Sequence, residues 1–191
     1  MTTTAQTNRL LVIAGGRAVG KTYWADAILT SGRFDIARVK TRTTREPRDA
    51  RDHETYRFMD ESGFRALLAS GSLLEHDYYR QAYYGSSLGD MHDVLARSHG
   101  LIVLTAAGVH AVARHAAELN ARVLLFLPDN RRLMERNLDL RNITDPALRA
   151  SLMDEAESYA FGPGVPHAAV RLSGDDADGD RVFRAVAELL G

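Results

Sequence analysis

An α/β fold, with a parallel sheet flanked by helices, is predicted by three features of this 191-residue sequence. Short apolar runs alternate with stretches of helical periodicity, which is the rhythm of strands joined by crossover helices. The first apolar run, "LLVIA" at 10–14, passes directly into a glycine turn and then a helical stretch. The chain is also long enough to bury one core without disulfides or metal, and it contains no cysteine.

Strands are expected at 10–14, 37–41, 101–105, 122–127 and 168–172. Helices are expected at 20–31, 60–69, 88–98, 108–119, 130–140, 145–160 and 180–190; the last aligns Val182, Val186, Leu189 and Leu190 on one stripe. The rhythm breaks twice. Residues 37–87 contain short polar and aromatic pieces, among them "YRF" and "QAYYG", and read as an inserted, mostly antiparallel subdomain. Residues 136–150 are arginine-rich and polar and read as a mobile lid, leaving a core of 1–36, 88–135 and 151–191 within a single domain 1–191.

Composition narrows the function. A formal net charge of −1 argues against bulk electrostatic binding to nucleic acid. The polar "MTTTAQTNR" has no apolar core of a signal peptide, and the longest apolar run, "LIVLTAAGV", is far too short for a membrane span. A cytoplasmic monomer or homodimer, with no membrane and no nucleic-acid partner, is expected.

The glycine turn reads "GGRAVGKT": Gly15, four residues, Gly20, Lys21, Thr22. This is the full spacing of a phosphate-binding P-loop. The backbone N–H groups of Gly15, Arg17, Ala18, Val19 and Gly20 would cradle a polyphosphate at a helix N-terminus. Lys21 would reach the outer phosphates, and the Thr22 hydroxyl would ligate Mg²⁺. Only two lysines, Lys21 and Lys40, stand among 22 arginines, and one occupies the position this loop requires.

In the insert, "KTRTTREPRDARD" carries Lys40, Arg42, Arg45, Arg48 and Arg51, with Arg38 just upstream. Arginine forks match phosphate geometry, although a solvated basic loop is the alternative reading. In "LLEHDYYRQAYYGSS", Glu75 follows two leucines, with Tyr84 and Ser86 downstream. A carboxylate at the inner end of an apolar run can accept two N–H bonds from a purine edge, such as that of guanine, and tyrosines can bind phosphate or stack on a base. A simple strand-end acid is the alternative for Glu75.

Taken in order, "GGRAVGKT", "TRTTREPR", "ETYRF", "LLEHDYYRQAYYGSS" and an arginine-bearing lid region resemble the guanylate kinase family over nearly the whole chain. The resemblance implies a P-loop parallel-sheet core with a nucleoside-monophosphate insert and a lid. It implies transfer of the γ-phosphoryl of ATP to GMP with Mg²⁺. It assigns Arg45, Arg48, Tyr56 and Tyr84 to the acceptor phosphate, and Thr41, Glu75 and Ser86 to guanine. It assigns Arg141 and Arg149 to the lid. One departure stands out. Val103 and Thr105 occupy the positions of two family aspartates, and Ala107 that of a glutamine. Thr105 can hydrogen-bond a ligand but supplies no charge to a metal shell. The same-fold alternatives are a kinase for a modified nucleotide or phosphorylated sugar, and a catalytically silent binding module.

Three features read as structural. "DDADGD" at 175–180 resembles a calcium loop, but Arg181 stands where the loop's sixth-position glycine would be, so a turn before a helix is expected. His110 and His115 do not share a helix face, and "AFGPGVPH" at 160–167 reads as a loop before the last strand.

Overall fold

The computed structural model describes residues 8–79, 81–157 and 165–191. The core sheet contains β1 (Leu10–Gly15), β2 (Ile36–Arg38), β7 (His99–Val103), β8 (Arg122–Pro128) and β9 (His167–Leu172), in the order β2-β7-β1-β8-β9. All four pairings are parallel, as strands joined by helical crossovers require. Its helices are α1 (Lys21–Thr30), α4 (Leu88–Leu95), α5 (Ala106–Ala113), α6 (Arg131–Asp139), α7 (Pro146–Glu157) and α8 (Asp178–Leu190).

The unbroken apolar run of β1 has a direct cause. All six β1 residues are buried, because helices cover both faces of the sheet. Leu11 and Ile13 join Leu124 and Phe126 against α1, α6, α7 and α8 on one face. Leu10, Val12 and Ala14 join Val123 and Leu125 against α4 and α5 on the other.

A second sheet holds β3 (Thr41–Thr43), β4 (Tyr56–Phe58), β5 (Leu73–Tyr79) and β6 (Ala82–Ser87), in the order β4-β3-β6-β5. The β3–β6 and β5–β6 pairs are antiparallel and β3–β4 is parallel. The short α2 (Asp52–Thr55) and α3 (Glu61–Ala69) complete this unit. Phe64 of α3 is fully buried and stacks on Tyr83, covering one face of the sheet.

Several boundaries differ from expectation. The strand expected at 37–41 ends at Arg38; Val39 donates once more, to the Leu101 carbonyl, and the chain then enters the second sheet as β3. The helix expected at 108–119 begins at Ala106, because the Thr105 hydroxyl caps it by accepting from Gly108 N. It ends at Ala113 and continues in turns to Leu119. The helix expected at 88–98 stops at Leu95, and the strand expected at 101–105 begins two residues earlier, at His99, and ends at Val103. The last helix starts at Asp178, whose buried carboxylate accepts from Ser173 N and Gly174 N. The end of the helix expected at 145–160 beyond Glu157, and the loop expected at 160–167 up to 164, lie outside the described residues. Among the described residues, no helix is long and apolar enough to cross a membrane.

Candidate active site

The glycine turn lies at the carboxyl end of β1, between β7 and β8, where parallel sheets hold their ligands. Gly15 has φ +139°, and a Cβ there would lie 2.4 Å from the Phe126 carbonyl oxygen. A Cβ on Gly16 would lie 2.4 Å from Ala156 Cα, so α7 packs directly on the loop. Lys21 Nζ donates to the Gly15 and Gly16 carbonyls, 2.7 Å each. Burial holds its ammonium down to about pKa 8; Glu155 pulls the value up, while Arg141 and Arg17 push it down. The Glu155 carboxylate also accepts from Arg17 N at 3.3 Å.

Thr22 faces a cleft of about 340 Å³ that reaches the second sheet. Thr41, Arg48, Asp52, Tyr56 and Val103 share its walls. The strand registers explain how the insert contributes. Thr41 pairs with Tyr56, Thr43 with Tyr84, and Glu75 with Ser86. Paired residues share a side, and successive side chains alternate. Thr41, Tyr56, Glu75, Tyr84 and Ser86 therefore lie on one face of the sheet, opposite the face covered by α3.

On that face, Ser86 Oγ donates to Glu75 Oε1 at 2.6 Å. Burial raises the Glu75 pKa, and the Ser86 bond opposes that rise. Arg45 is 13% exposed and binds Asp52 through two bonds of 2.7 and 3.1 Å. The Tyr56 ring lies 4.8 Å from its guanidinium centre. The Tyr56 and Tyr84 rings meet edge to face, with centroids 6.2 Å apart. Arg45 and the Arg48 backbone N–H hold the Asp52 carboxyl down to about pKa 2.

The opposite face carries Arg42 and Arg57, which converge on Asp90 at the start of α4. Asp90 is 6% exposed and joins the root of the insert to the core.

The lid arginines separate. Arg141 lies within electrostatic reach of Lys21 and lines a larger cleft, of about 740 Å³, beside Ala18, Val19 and Gly20. Arg149 instead binds Asp139 Oδ1 at 2.7 Å and the Ile143 carbonyl at 2.8 Å, and lines neither cleft. Thr105 is engaged as a helix cap, so Val103 alone of that pair faces the smaller cleft.

The larger cleft was not legible from sequence. Its walls come from Tyr23 and Trp24 of α1, Arg136 and Asn137 of α6, and Asp175 and Asp176 before α8. Asn137 also holds the loop, donating to the Ala18 carbonyl at 2.9 Å. No contiguous motif joins these segments. The adjacency of Tyr23 and Trp24 to Lys21 was the one available signal.

Residues 7–160 match the guanylate kinase family profile. A guanylate kinase of Thiobacillus denitrificans is 30% identical over 166 residues, covering 84% of this chain and 79% of that protein. One of Lactobacillus acidophilus is 31% identical over 119 residues, covering 62% of this chain and 57% of that protein. The crystal structure of an Anaplasma phagocytophilum guanylate kinase covers 96% of this chain and is covered over 85% of its own length; at TM-score 0.57 and 18% identity it shares the fold. A Janibacter sugar kinase structure shares it at TM-score 0.50 and 14% identity, covering 94% of this chain and 93% of that one. With the family profile matched from the phosphate loop through α7, the chain belongs to the guanylate kinase family.

Proposed function

We propose that this chain transfers the γ-phosphoryl group of ATP to GMP, yielding ADP and GDP. The observation that carries this reading is the single sheet face bearing Thr41, Tyr56, Glu75, Tyr84 and Ser86, of which Thr41 and Tyr56 line a cleft that also holds Thr22. A base reader at Glu75, an anion site at Arg45 and Arg48, and a phosphate loop ending at Thr22 would together serve this transfer. The core (1–36, 88–135, 151–191), the acceptor insert (37–87) and a lid within 136–150 are the corresponding working parts.

ATP supplies the phosphates for the loop, and its base and ribose have room in the larger cleft beside Ala18–Gly20. Lys21 would exchange its two carbonyl partners for phosphate oxygens. Arg141, whose side chain has no hydrogen bond or ion pair among the described residues, would close on the transferring group. Arg149 would first have to leave Asp139.

The residues fit Mg²⁺ only as part of a nucleotide complex. Thr22 offers one hydroxyl, Val103 faces it, and no group of three histidine or acidic side chains among the described residues could hold a metal. Thr22 would hold Mg²⁺ in that complex, and the ion would supply charge neutralisation at the phosphate oxygens.

Arg45, Arg48, Tyr56 and Tyr84 would fix the acceptor phosphate so that one oxygen lies in line with the donor. An ionised phosphate is already a nucleophile and needs no general base. Glu75 would accept from the N1–H and 2-amino group of guanine, with Ser86 holding its carboxylate in orientation. A reaction that draws on ATP and GMP fits a cytoplasmic location.

ADP release from Mg²⁺–ATP, measured with GMP, dGMP, AMP, CMP, UMP, modified guanine nucleotides and ribose phosphates, tests the reading. Turnover with GMP well above the rest is expected. Preference for another acceptor would mean that Val103 marks a changed substrate. No turnover despite nucleotide binding would favour a silent binding module.

A further inference from the structure

We propose that Asp52 is a built-in occupant of the acceptor's phosphate site and that the acceptor must displace it; this rests on the assignment of Arg45 and Arg48 to that phosphate. One Asp52 oxygen accepts from Arg45 Nη1 and from the Arg48 backbone N–H, 2.7 Å each, and the other accepts from Arg45 Nη2 at 3.1 Å. The carboxylate thus spans the guanidinium fork as two oxygens of a phosphate would. It does so incompletely. Arg45 Nε is buried and has no hydrogen-bond partner among the described residues. A carboxylate has two oxygens for this site, whereas a phosphate brings three.

The carrier of Asp52 is built to leave. The α2 turn buries none of its residues, and the preceding residues 46–51 are exposed. Little packing is lost when it swings out. The contrast lies on the other face of the same sheet. There Asp90 also pairs with arginine, but it is buried in an eight-residue helix docked on the core.

Two consequences follow for the acceptor. While the site is empty, Asp52 neutralises Arg45, which would otherwise be a poorly hydrated, unpaired charge. When an acceptor arrives, its phosphate must outcompete a carboxylate already held by three bonds. A dianionic phosphate can do so with help from Tyr56, Tyr84 and the Arg48 side chain. A nucleoside lacking the phosphate has no means to do so.

Calorimetric titration of wild type and Asp52→Asn with GMP, inorganic phosphate and guanosine tests this. If the released form is a minor fraction, its scarcity weakens apparent affinity in proportion, so Asp52→Asn should bind GMP and phosphate about tenfold more tightly. Guanosine affinity should be unchanged. Asp52→Ser, which cannot bridge Arg45 and Arg48, should reproduce the gain, and thermal melting verifies that both variants fold. Unchanged or weaker phosphate binding in either folded variant overturns the proposal, because Asp52 would then orient Arg45 without occupying its site. Equal tightening for guanosine also overturns it. A wild type that binds GMP and transfers no phosphate would fail the kinase reading but leave this comparison intact.

Discussion

Ser86 donates its hydroxyl hydrogen to Glu75 across an antiparallel pair, at 2.6 Å, on the sheet face that also carries Thr41 and Tyr56. The bond points one carboxylate oxygen while burial makes the charge costly. Glu75→Gln should keep the shape and lose the acceptor pair. The GMP preference over AMP should fall ~10–100-fold, from bonds to a charged group worth about 1.5–3 kcal/mol. Stability should move the opposite way. A carboxyl whose pKa is raised on folding loses stability as pH rises from its unfolded value through its folded one. The variant's melting temperature should therefore gain more at pH 7 than at pH 4. A GMP/AMP ratio that does not change would remove Glu75 as the base reader.

Lys21 gives a pH signature. Its pKa of about 8 in the empty loop favours loss of the proton, whereas phosphates beside it favour the ammonium. ATP binding above pH 8 should take up a proton, and the Kd should rise about tenfold or more between pH 7 and 9.5. Titrations in two buffers of different ionisation enthalpy measure that uptake. For folding, the depressed pKa is unfavourable below about pH 8, and this cost is relieved as pH rises toward the unfolded value of 10.5. Lys21→Ala should abolish transfer. Binding without proton uptake would place Lys21 away from the phosphates.

Asp90 predicts a stability defect. It is 6% exposed and binds two arginines, of which Arg42 is 18% exposed and Arg57 53%. Asp90→Ala leaves the Arg42 charge half-buried and unpaired, which should cost about 3 kcal/mol in urea unfolding. Arg57→Ala removes the exposed partner and should cost less than about 1 kcal/mol. Similar losses in the two variants would mean that the burial of Arg42 is not what matters.

Ala18 predicts the reverse. It adopts φ +64° inside the phosphate loop, a left-handed conformation that disfavours a Cβ. Ala18→Gly relieves about 1–2 kcal/mol of that strain, partly offset by chain entropy and a lost buried methyl. A net gain of about 0.5 kcal/mol is expected by thermal unfolding. A loss would show that the methyl contact outweighs the strain.

The phosphate loop and the core sheet were legible because their signals are contiguous. One eight-residue stretch contains the loop, and strands buried on both faces read as plain apolar runs. The insert was legible only as a break in rhythm. Its strands β3 and β4 have three residues each, too few to show a period, and "YRF" acquires meaning only beside Thr41–Thr43. Arg42 and Arg45 looked alike in sequence. Folding turns them to opposite sides of one sheet, one toward Asp90 and one toward Asp52. Arg149, assigned to the lid by the family resemblance, is paired with Asp139, ten residues away in sequence. Such pairings join residues that no local pattern connects.

The contact between Gly16 and Ala156 leaves no room for a side chain, so the backbone of α7 rests on the backbone of the loop. From α6, Asn137 grips the Ala18 carbonyl. Both α6 and α7, on either side of residues 140–145, are thus moored to the same glycine turn. A wide swing of this helix pair would tear the loop that it serves. Bending is left to the span between Asp139 and Pro146, where Asn142 already takes φ +54°. Arg149, holding Asp139 and the Ile143 carbonyl, spans that same bend. In the proposed kinase the lid would therefore be a short visor hinged within itself, with Arg149 as its catch.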